Sequence, residues 1–310
     1  MHGVTLDDAR RVCAWHNLPE PHSLERIAIG FTNEVYSLDD LYILKVCSDP
    51  GNEEAFAREA ALYGVFRNRL PVPQIIAFDP RRELLSHPYI LYPRIPGDNL
   101  YAVWHRYPEG LRRSIVSELC SMLRKIAETP QSEWGGSVQR ADSWKETVLQ
   151  RIHSSMDKCE AAGSLGTEEV AKIRHYCAEH ANCLDEQRMA LVYWDAHFDN
   201  VLVQDGSIVG LLDFERTEVA SIDFMLDVVK RMVEFPGKYM SEQSEKYARK
   251  EDYAHLIAWY RECYPELFAF RFLERRLDLY ALAHDLADLE NWAHVPSLMA
   301  NIMRTVNGNH

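Results

Sequence analysis

The sequence predicts an α+β fold of two lobes: a small N-terminal lobe with an antiparallel sheet and one helix, and a larger, mainly helical C-terminal lobe. Its 310 residues are enough for two domains or one large two-lobed unit. The first hundred residues mix strand-like runs with one helical pattern, whereas residues 110–185 and 221–305 have mostly helical periodicity. We place the boundary near 92–97, with residues 1–94 as the N-terminal lobe and residues 95–310 as the C-terminal lobe.

The N-terminal lobe begins with a predicted hairpin. Runs rich in β-branched, aromatic and aliphatic residues flank Asp39-Asp40, which supplies turn chemistry. Apolar residues then recur at intervals of three and four from Phe56 to Phe66, with Asn52 as the expected N-cap. Pro71 and Pro73 prevent a helix from continuing, so strands follow. The predicted strands are 33–38, 41–46, 74–78 and 89–92, and the predicted helix is 53–66.

Helices dominate the C-terminal lobe. An apolar stripe from Leu111 to Ile126 has helical spacing. Between residues 189 and 213 the pattern changes to short apolar runs, with Asp205-Gly206 as a hairpin turn. The other predicted helices include 143–160, 167–182 and 275–292, and the predicted strands are 189–193, 201–204 and 208–212.

Composition limits the partners and the cellular setting. The chain has 34 Lys and Arg against 47 Asp and Glu, and the net charge of −13 disfavours nucleic acid and anionic membrane surfaces. A neutral or cationic small molecule fits better as a partner.

The seven cysteines include no C-x-x-C pair, so we expect neither a disulfide framework nor a zinc site. No stretch approaches the ~20 apolar residues that cross a bilayer, and early charges argue against a targeting segment. We expect a cytoplasmic monomer or homodimer.

Three polar residues follow the C-terminal strands at an informative spacing. Asn200 lies five residues after Asp195, and Asp213 lies thirteen residues after Asn200, across the predicted hairpin. Phosphoryl transfer from a nucleotide needs a carboxylate beside the attacking hydroxyl and oxygen ligands for Mg²⁺, which this set can supply. Kinase-like catalytic loops have the same five-residue offset, with a D-F motif after a short hairpin. The alternative is that these are turn residues flanking buried strands.

Two charged residues upstream decide between these interpretations. Lys45 lies in the predicted strand 43–46, and in kinases a strand at this place in the chain carries the lysine that pairs with the nucleotide phosphates. Glu59 lies on the next predicted helix, where kinases have the glutamate that forms an ion pair with that lysine. Each alone is typical of solvated surface charge. Because four elements agree in order along the chain, the pattern predicts a kinase active site.

Together these motifs resemble the aminoglycoside phosphotransferase family, which includes choline kinase-like and homoserine kinase-like enzymes. The resemblance spans nearly the whole chain and implies a protein kinase-like fold. The matching segments are 30–36, similar to the family's nucleotide loop; Pro73 and 88–97, similar to its last N-lobe strand, hinge and Pro-Gly; 195–200, similar to its D-L-H-P-G-N loop; and 213–216 with Asp223 and Asp227, similar to its I-D-F-E-x-A and G-D-P-x-x-D segments.

The resemblance implies a role for each matched residue. Asp195 would orient or deprotonate the acceptor hydroxyl, while Asn200 and Asp213 would hold Mg²⁺ against the phosphates of ATP or GTP. Lys45 would neutralise the α- and β-phosphates, and Glu59 would fix its ammonium group. The remaining nucleotide-binding residues would be Gly30, Thr32 and Asn33 in the nucleotide loop, and Pro93 and Ile95 through backbone groups of the hinge.

One dipeptide departs from the family pattern, since this chain has Tyr193-Trp194 where the family usually has His-Gly. Trp194 could form a wall of the acceptor pocket, or it could be interlobe or core packing. His197 could contact phosphate or substrate, although a hydrogen-bonded brace of the loop is the expected role. For Asp223 and Asp227 we expect structural roles, as a cap and a loop brace.

The acceptor pocket of this family is built from C-lobe helices. Here Asp278, Asp285 and Asp288 share one face of the predicted helix 275–292, and this stripe could bind a polyamine or an aminoglycoside. More often, such acidic residues form the solvated face of a helix whose opposite face is apolar, and this is what we expect here. Three aromatic residues could form a cation-binding wall of the pocket, although core packing is the default expectation for them: Trp259, Tyr260 and Trp292.

The sequence thus predicts a small-molecule kinase that transfers the γ-phosphate of ATP or GTP, with Mg²⁺, to a substrate hydroxyl. An aminoglycoside or related antibiotic is one candidate acceptor, and a metabolite such as choline, homoserine or a sugar is another. A catalytically silent nucleotide-binding module is a third interpretation, motivated by the departure at Tyr193-Trp194. Retention of all the main functional residues argues against it, because a silent module has no need of Lys45, Asp195, Asn200 and Asp213 together.

Overall fold

A five-stranded antiparallel sheet forms the centre of the N-terminal lobe in the computed structural model, which describes residues 3–29, 33–138, 142–237 and 245–308. Its strands are β1 (Leu24–Ile29), β2 (Asn33–Leu38), β3 (Tyr42–Cys47), β4 (Ala77–Asp79) and β5 (Tyr89–Pro93), in the spatial order β1–β2–β3–β5–β4. Lys45 lies on the central strand β3, between Val35 of β2 and Ile90 of β5. The sheet therefore holds this lysine at a buried position.

The hairpin between β2 and β3 follows from its turn residues. Asp39 and Asp40 both have positive φ, 50° and 57°, as a type I′ turn requires, and aspartate adopts this region more readily than most residues. The Leu41 N–H closes the turn on the Leu38 carbonyl at 2.9 Å. The predicted hairpin is confirmed, with β3 starting one residue late. β4 begins three residues later than predicted, and β1 has no counterpart among the predicted strands.

Two helices accompany this sheet, α1 (Leu6–Trp15) and α2 (Glu53–Phe66). α2 has the predicted bounds, and it buries the predicted face that includes Phe56 and Tyr63. Asn52 occupies the N-cap position without a capping hydrogen bond, because its side chain donates to Glu215 instead, so the predicted capping role is wrong. α1 begins at a capping box on Thr5 and was not expected from the sequence.

The C-terminal lobe is mainly helical, as predicted. The apolar stripe from Leu111 to Ile126 lies on one long helix, and the other predicted helices are found within two residues of their expected bounds. The helices are α3 (Leu100–Trp104), α4 (Glu109–Ala127), α5 (Gln131–Trp134), α6 (Trp144–Ala161), α7 (Thr167–His180), α8 (Met225–Glu234), α9 (Leu256–Cys263), α10 (Leu273–Asn291) and α11 (Pro296–Val306).

Two small antiparallel sheets in the C-terminal lobe carry the segments with predicted chemistry. One joins β6 (Asp98–Asn99) to β8 (Val201–Gln204) and β9 (Ser207–Leu211), and the other joins β7 (Met189–Tyr193) to β10 (Thr217–Ser221). Asp205 and Gly206, with φ of 51° and 82°, form the predicted turn between β8 and β9. β10 has no predicted counterpart. It flanks β7, so the catalytic segment leaves one sheet at Tyr193 and the chain returns to it at Thr217.

A large hydrophobic core extends from the C-terminal half of α2 through the helices of the C-terminal lobe. These elements form the predicted α+β architecture, with a small sheet-based lobe and a large helical lobe. The predicted boundary after residue 94 falls between β5 and β6 and remains a prediction. All seven cysteines are free thiols. Within the described ranges, none of the helices has the length and apolar character needed to cross a membrane.

Candidate active site

The segment after β7 brings Asp195, His197 and Asn200 together. The His197 Nε2 atom lies 3.3 Å from an Asp195 carboxylate oxygen, and both side chains are largely buried. A short 3₁₀ turn, Phe198–Asn200, then directs the Asn200 amide back to the loop, where its nitrogen donates to the Asp195 carbonyl oxygen at 2.9 Å. His197 therefore braces the loop, as expected, and holds the carboxylate of Asp195 in place.

The environment of Asp195 keeps its carboxylate charged. Burial by itself would raise the pKa of Asp195, but the hydrogen bond and charge of His197, with the charges of Arg216 and Lys45, lower that pKa below its ordinary value. Burial opposes the charged form of His197 too, yet Asp195 raises the pKa of the imidazole overall. Asp195 is ionised at neutral pH, so it can accept a hydrogen bond, and then a proton, from an alcohol.

Asn200 and Asp213 lie side by side because the Leu212 N–H donates to the Asn200 carbonyl oxygen at 2.9 Å. Asp213 adopts a left-handed conformation with φ of 58°, its N–H donates to the Tyr63 hydroxyl at 2.9 Å, and its side chain is 40% exposed. Because the Asn200 amide nitrogen is engaged on the loop, the amide oxygen is the atom that would bind a cation. A carboxylate and an amide oxygen in adjacent positions suit Mg²⁺.

Three carboxylates surround the ammonium group of Lys45, which is almost fully buried: Glu59 at 2.5 Å, Glu215 at 2.8 Å and Asp213 at 3.4 Å. Desolvation opposes the charge on Lys45, but the carboxylates raise its pKa well above the ordinary value. Burial raises the pKa of Glu59 to about 8, against the attraction of Lys45. The sequence-predicted pair of Lys45 and Glu59 is thus part of a larger cluster.

This cluster has more negative than positive charge. Carboxylate oxygens of Glu59, Asp213 and Glu215 all lie within 4.8 Å of one another. Burial raises the pKa of Asp213, as do the neighbouring charges of Glu215 and Asp195, while Lys45 opposes the shift. A bound divalent cation would offset this repulsion, which is further support for a cation site at Asp213.

Glu215 is a central residue of the site that the sequence reasoning did not single out. Its carboxylate accepts hydrogen bonds from the side-chain amides of Asn33 and Asn52, and its carbonyl oxygen accepts one from Arg58 at 2.9 Å. Together with Lys45, these contacts join the segment after β9 to β2, β3 and the start of α2. The available signal was an acidic residue two positions after Asp213, inside a segment that already resembles the family.

The departure at Tyr193-Trp194 is accommodated by packing. Tyr193 stacks on Phe214 with ring centroids 4.4 Å apart, and its hydroxyl donates to the Leu212 carbonyl. Trp194 is 4% exposed, and its indole N–H donates to Asp227 at 3.1 Å. Of the two interpretations of Trp194, the structure therefore shows packing within the C-terminal lobe. Both aromatic side chains tie the catalytic segment to its neighbours.

The acidic stripe on α10 is not a solvated face, so that expectation is wrong. Asp278 and Asp285 are almost fully buried. Asp285 lies 2.9 Å from Arg231 of α8, and Asp278 accepts from the Tyr176 hydroxyl of α7 at 3.1 Å. Because α10 packs against α6, α8 and α11, its polar residues must find partners inside the lobe. Asp288 is mostly buried too, 3.5 Å from His284 of the same helix.

The N-caps next to Asp223 are Ser221 and Phe224, so the expected capping role of Asp223 is wrong. The other structural expectations are supported by contacts. Asp223, fully buried, pairs with the equally buried Arg276 at 2.6 Å, and Asp227 braces Trp194. Trp259 and Tyr260 belong to the hydrophobic core, and Trp292 packs against it. These aromatic residues therefore match the default of core packing.

The nucleotide-side residues are only partly described. Asn33 is buried at the start of β2 beside Glu215, Pro93 is the exposed last residue of β5, and Ile95 follows it, half-buried. Gly30 and Thr32 lie outside the described residues. The roles of these five residues in binding a nucleotide remain predictions.

The two-lobed fold holds a buried lysine among carboxylates, near an ionised aspartate on a loop of the larger lobe. This arrangement is that of a nucleotide-dependent phosphotransferase. Comparison with known families makes the assignment specific. The sequence profile of the phosphotransferase enzyme family, APH, matches residues 23–230, about two-thirds of the chain, and the chain belongs to this family. The predicted family is thus confirmed.

Solved structures show the same fold over nearly the whole chain. The gentamicin complex of APH(2″)-IIa is 15% identical with a TM-score of 0.72, covering 100% of this chain and 98% of that one. ADP-bound aminoglycoside phosphotransferase APH(2″)-Ib is 15% identical with a TM-score of 0.69, covering 98% and 97%. Aminoglycoside phosphotransferase APH(4)-Ia is 14% identical with a TM-score of 0.70, covering 99% and 100%. No curated protein sequence matches the chain significantly.

Proposed function

We propose that this protein catalyses the Mg²⁺-dependent transfer of the γ-phosphate of ATP or GTP to a hydroxyl group of a small molecule. The observation that carries the proposal is the ionised carboxylate of Asp195, held 3.3 Å from His197 on a loop whose end, Asn200, is hydrogen-bonded to the segment of Asp213. An acceptor base and a cation site are thereby held in one fixed arrangement. Phosphoryl transfer depends mainly on this kind of positioning and charge stabilisation.

Asp195 acts on the acceptor alcohol. Its carboxylate accepts a hydrogen bond from the hydroxyl and takes the proton as the hydroxyl oxygen forms a bond to the γ-phosphorus. The bond between the γ-phosphorus and the bridging oxygen breaks, and the electron pair leaves with the nucleoside diphosphate. Because the pKa of Asp195 is low, its main contribution is orientation of the nucleophile in the ground state.

The donor side is formed by Lys45 and by the pair of Asn200 and Asp213. Lys45 neutralises charge on the α- and β-phosphates, and Glu59, fixed by the Tyr63 hydroxyl at 2.5 Å, keeps the lysine in position. Asn200 and Asp213 would hold Mg²⁺, which would neutralise charge on the phosphates when bound. Backbone groups of Pro93 and Ile95 would bind the base, and Gly30, Thr32 and Asn33 would contribute to binding the nucleotide.

The comparisons favour no single donor nucleotide or acceptor for this chain. Neighbouring structures are complexes with streptomycin and ATP, and with GDP and kanamycin, so both purines and aminoglycosides are first choices for testing. The two acidic residues that could have attracted an amine, Asp285 and Asp288, lie against Arg231 and His284 within the protein. A metabolite alcohol is thus an equal candidate. The cytoplasmic location and the oligomeric state remain predictions.

The test is phosphate transfer from ATP and from GTP, with Mg²⁺, to aminoglycosides, macrolides, choline, homoserine and sugars. Asp195→Asn should lower the rate of transfer about 10²- to 10⁴-fold. Asp205→Asn is the matched control, because Asp205 is exposed in a turn where asparagine is equally suitable, and it should behave as the native protein. Transfer at the native rate in Asp195→Asn would contradict the assignment of the base. Binding of Mg·ADP without transfer to any acceptor would favour the silent module.

A further inference from the structure

Arg216 lies on the catalytic side of the C-terminal lobe, directly after the charged cluster. The preceding residue, Glu215, directs its carboxylate to Lys45 of the N-terminal lobe. Arg216 lies instead over the ring of Trp194, with its guanidinium carbon 5.7 Å from the ring centroid, and Trp194 immediately precedes Asp195. The next residue, Thr217, begins β10 and pairs with Tyr193. The strand pairing therefore fixes the backbone of Arg216 alongside the start of the catalytic loop.

The guanidinium of Arg216 is exposed and, among the described residues, has no carboxylate within 4.0 Å. Other arginines of this lobe are paired: Arg231 with Asp285 at 2.9 Å, and Arg276 with Asp223 at 2.6 Å. An arginine without an acidic partner is unexpected at this position, because the chain carries a net charge of −13. Its aromatic support holds the side chain in place without neutralising it.

Arg216 is a cation near Asp195 that is exposed to an incoming acceptor. The positive charge of Arg216 reaches Asp195 and contributes to the low pKa of that carboxyl. Asp227, which accepts the indole N–H of Trp194, and Asp285 both pair with Arg231 inside the lobe, so their charges are not available to attract an amine. An acceptor bound at Asp195 would therefore have nearby a cation that, among the described residues, no carboxylate pairs with.

We propose that the acceptor is an alcohol that also carries an anionic group, a carboxylate or a phosphate, and that Arg216, supported by Trp194, binds this group. The inference rests on the proposed function and narrows its acceptor. The planar guanidinium offers two parallel N–H donors to a carboxylate or phosphate, which gives both attraction and orientation. The anionic group anchors the molecule while its hydroxyl lies against Asp195.

The test compares acceptors that differ mainly in charge. One series is glucose, glucosamine, glucuronate and glucose 6-phosphate, and the other is glycerol, choline, glycerate and glycerol 3-phosphate. The carboxylate and phosphate members distinguish the two sources of negative charge. Steady-state transfer is measured with native protein, Arg216→Met, which removes the charge and keeps an unbranched stem, and Arg216→Lys. Arg261→Met is the matched control, since Arg261 is an exposed arginine over an aromatic ring, Phe268, at 4.3 Å.

We expect the native protein to prefer an anionic member in at least one series. Arg216→Met should raise the KM for that acceptor about 10- to 100-fold, the effect of losing hydrogen bonds to a charged group, and should remove the preference over the neutral member. The KM for the nucleotide should stay the same, Arg216→Lys should retain part of the preference, and Arg261→Met should match the native protein. Loss of kcat with every acceptor would overturn the inference, because Arg216 would then act on the transferred phosphoryl group.

Failure of the acceptor inference can be separated from failure of the proposed function. Preference for glucosamine or choline over the anionic members refutes the inference. The inference is also refuted if only other acceptors of the wider panel are phosphorylated and Arg216→Met does not change the KM for those acceptors. In both cases the proposed kinase activity is retained. Absence of transfer to every acceptor, with either nucleotide, refutes both.

Discussion

Replacing Trp194 with glycine restores the residue usual in the family, and we expect it to damage this protein. The indole is 4% exposed, packs on Phe224 at 5.8 Å and donates to Asp227 at 3.1 Å. Truncating a buried aromatic residue costs about 3–5 kcal/mol, and losing a hydrogen bond to a charged group adds about 1.5 kcal/mol or more. Trp194→Gly should therefore lower the free energy of unfolding by roughly 4.5–6.5 kcal/mol, a large share of the 5–15 kcal/mol typical of proteins.

A conservative substitution separates the two contributions. Trp194→Phe keeps an aromatic ring against Phe224 but removes the donor to Asp227, so it should cost about 1.5–3 kcal/mol, the usual value of a hydrogen bond to a charged group. Combining it with Asp227→Asn completes a double-mutant cycle. The coupling energy should be at least 0.5 kcal/mol, because the two side chains are in direct contact.

Urea unfolding followed by far-UV circular dichroism measures these changes, with native protein and variants at the same concentration. Trp15→Phe is the matched control, because Trp15 is 63% exposed and its substitution should change stability by no more than about 0.5 kcal/mol. Trp194→Gly with an unfolding free energy within about 1 kcal/mol of native protein would refute the packing argument. Higher turnover in Trp194→Gly would show instead that the indole obstructs the loop.

Three further predictions concern the polar site. Asp195→Asn should lower turnover about 10²- to 10⁴-fold while leaving the dissociation constant of Mg·ADP within twofold, measured by steady-state kinetics and calorimetry; Asp213→Asn should weaken that binding as well. Glu215→Gln should raise the KM for the nucleotide about tenfold, because Lys45 loses a charged partner at 2.8 Å, whereas exposed Glu54→Gln should have no effect. A change only in the KM for the acceptor would contradict this. His197 has a raised pKa, so its pair with Asp195 stabilises the fold fully below about pH 6.5 and less as the pH rises through the folded-state pKa. His197→Gln should hence shift the urea midpoint more at pH 6 than at pH 9, and equal shifts would argue against a charged pair.

The residues that carry the chemistry could be predicted because their signals are local in the chain. Asp39-Asp40 and Asp205-Gly206 encode tight turns through their own backbone preferences, so both hairpins were predictable. The offset of five residues from Asp195 to Asn200 spans one loop, and the structure closes that loop with a 2.9 Å hydrogen bond. Elements without such a local signal, such as the short strand β10, were not predictable.

The sequence by itself determined the class of reaction and the order of the elements that carry it, because turn chemistry and residue spacing act over a few positions. Tertiary structure alone decided which charges are neutralised. Asp285 belongs to a stripe with the pattern of a solvated face, yet Arg231, 54 positions away in the chain, lies against it in the core. Glu215 meets Asn33 across 182 positions. Periodicity reports the faces of one element, whereas the partner that stabilises a buried charge comes from another, and only the packing of the elements brings the two together.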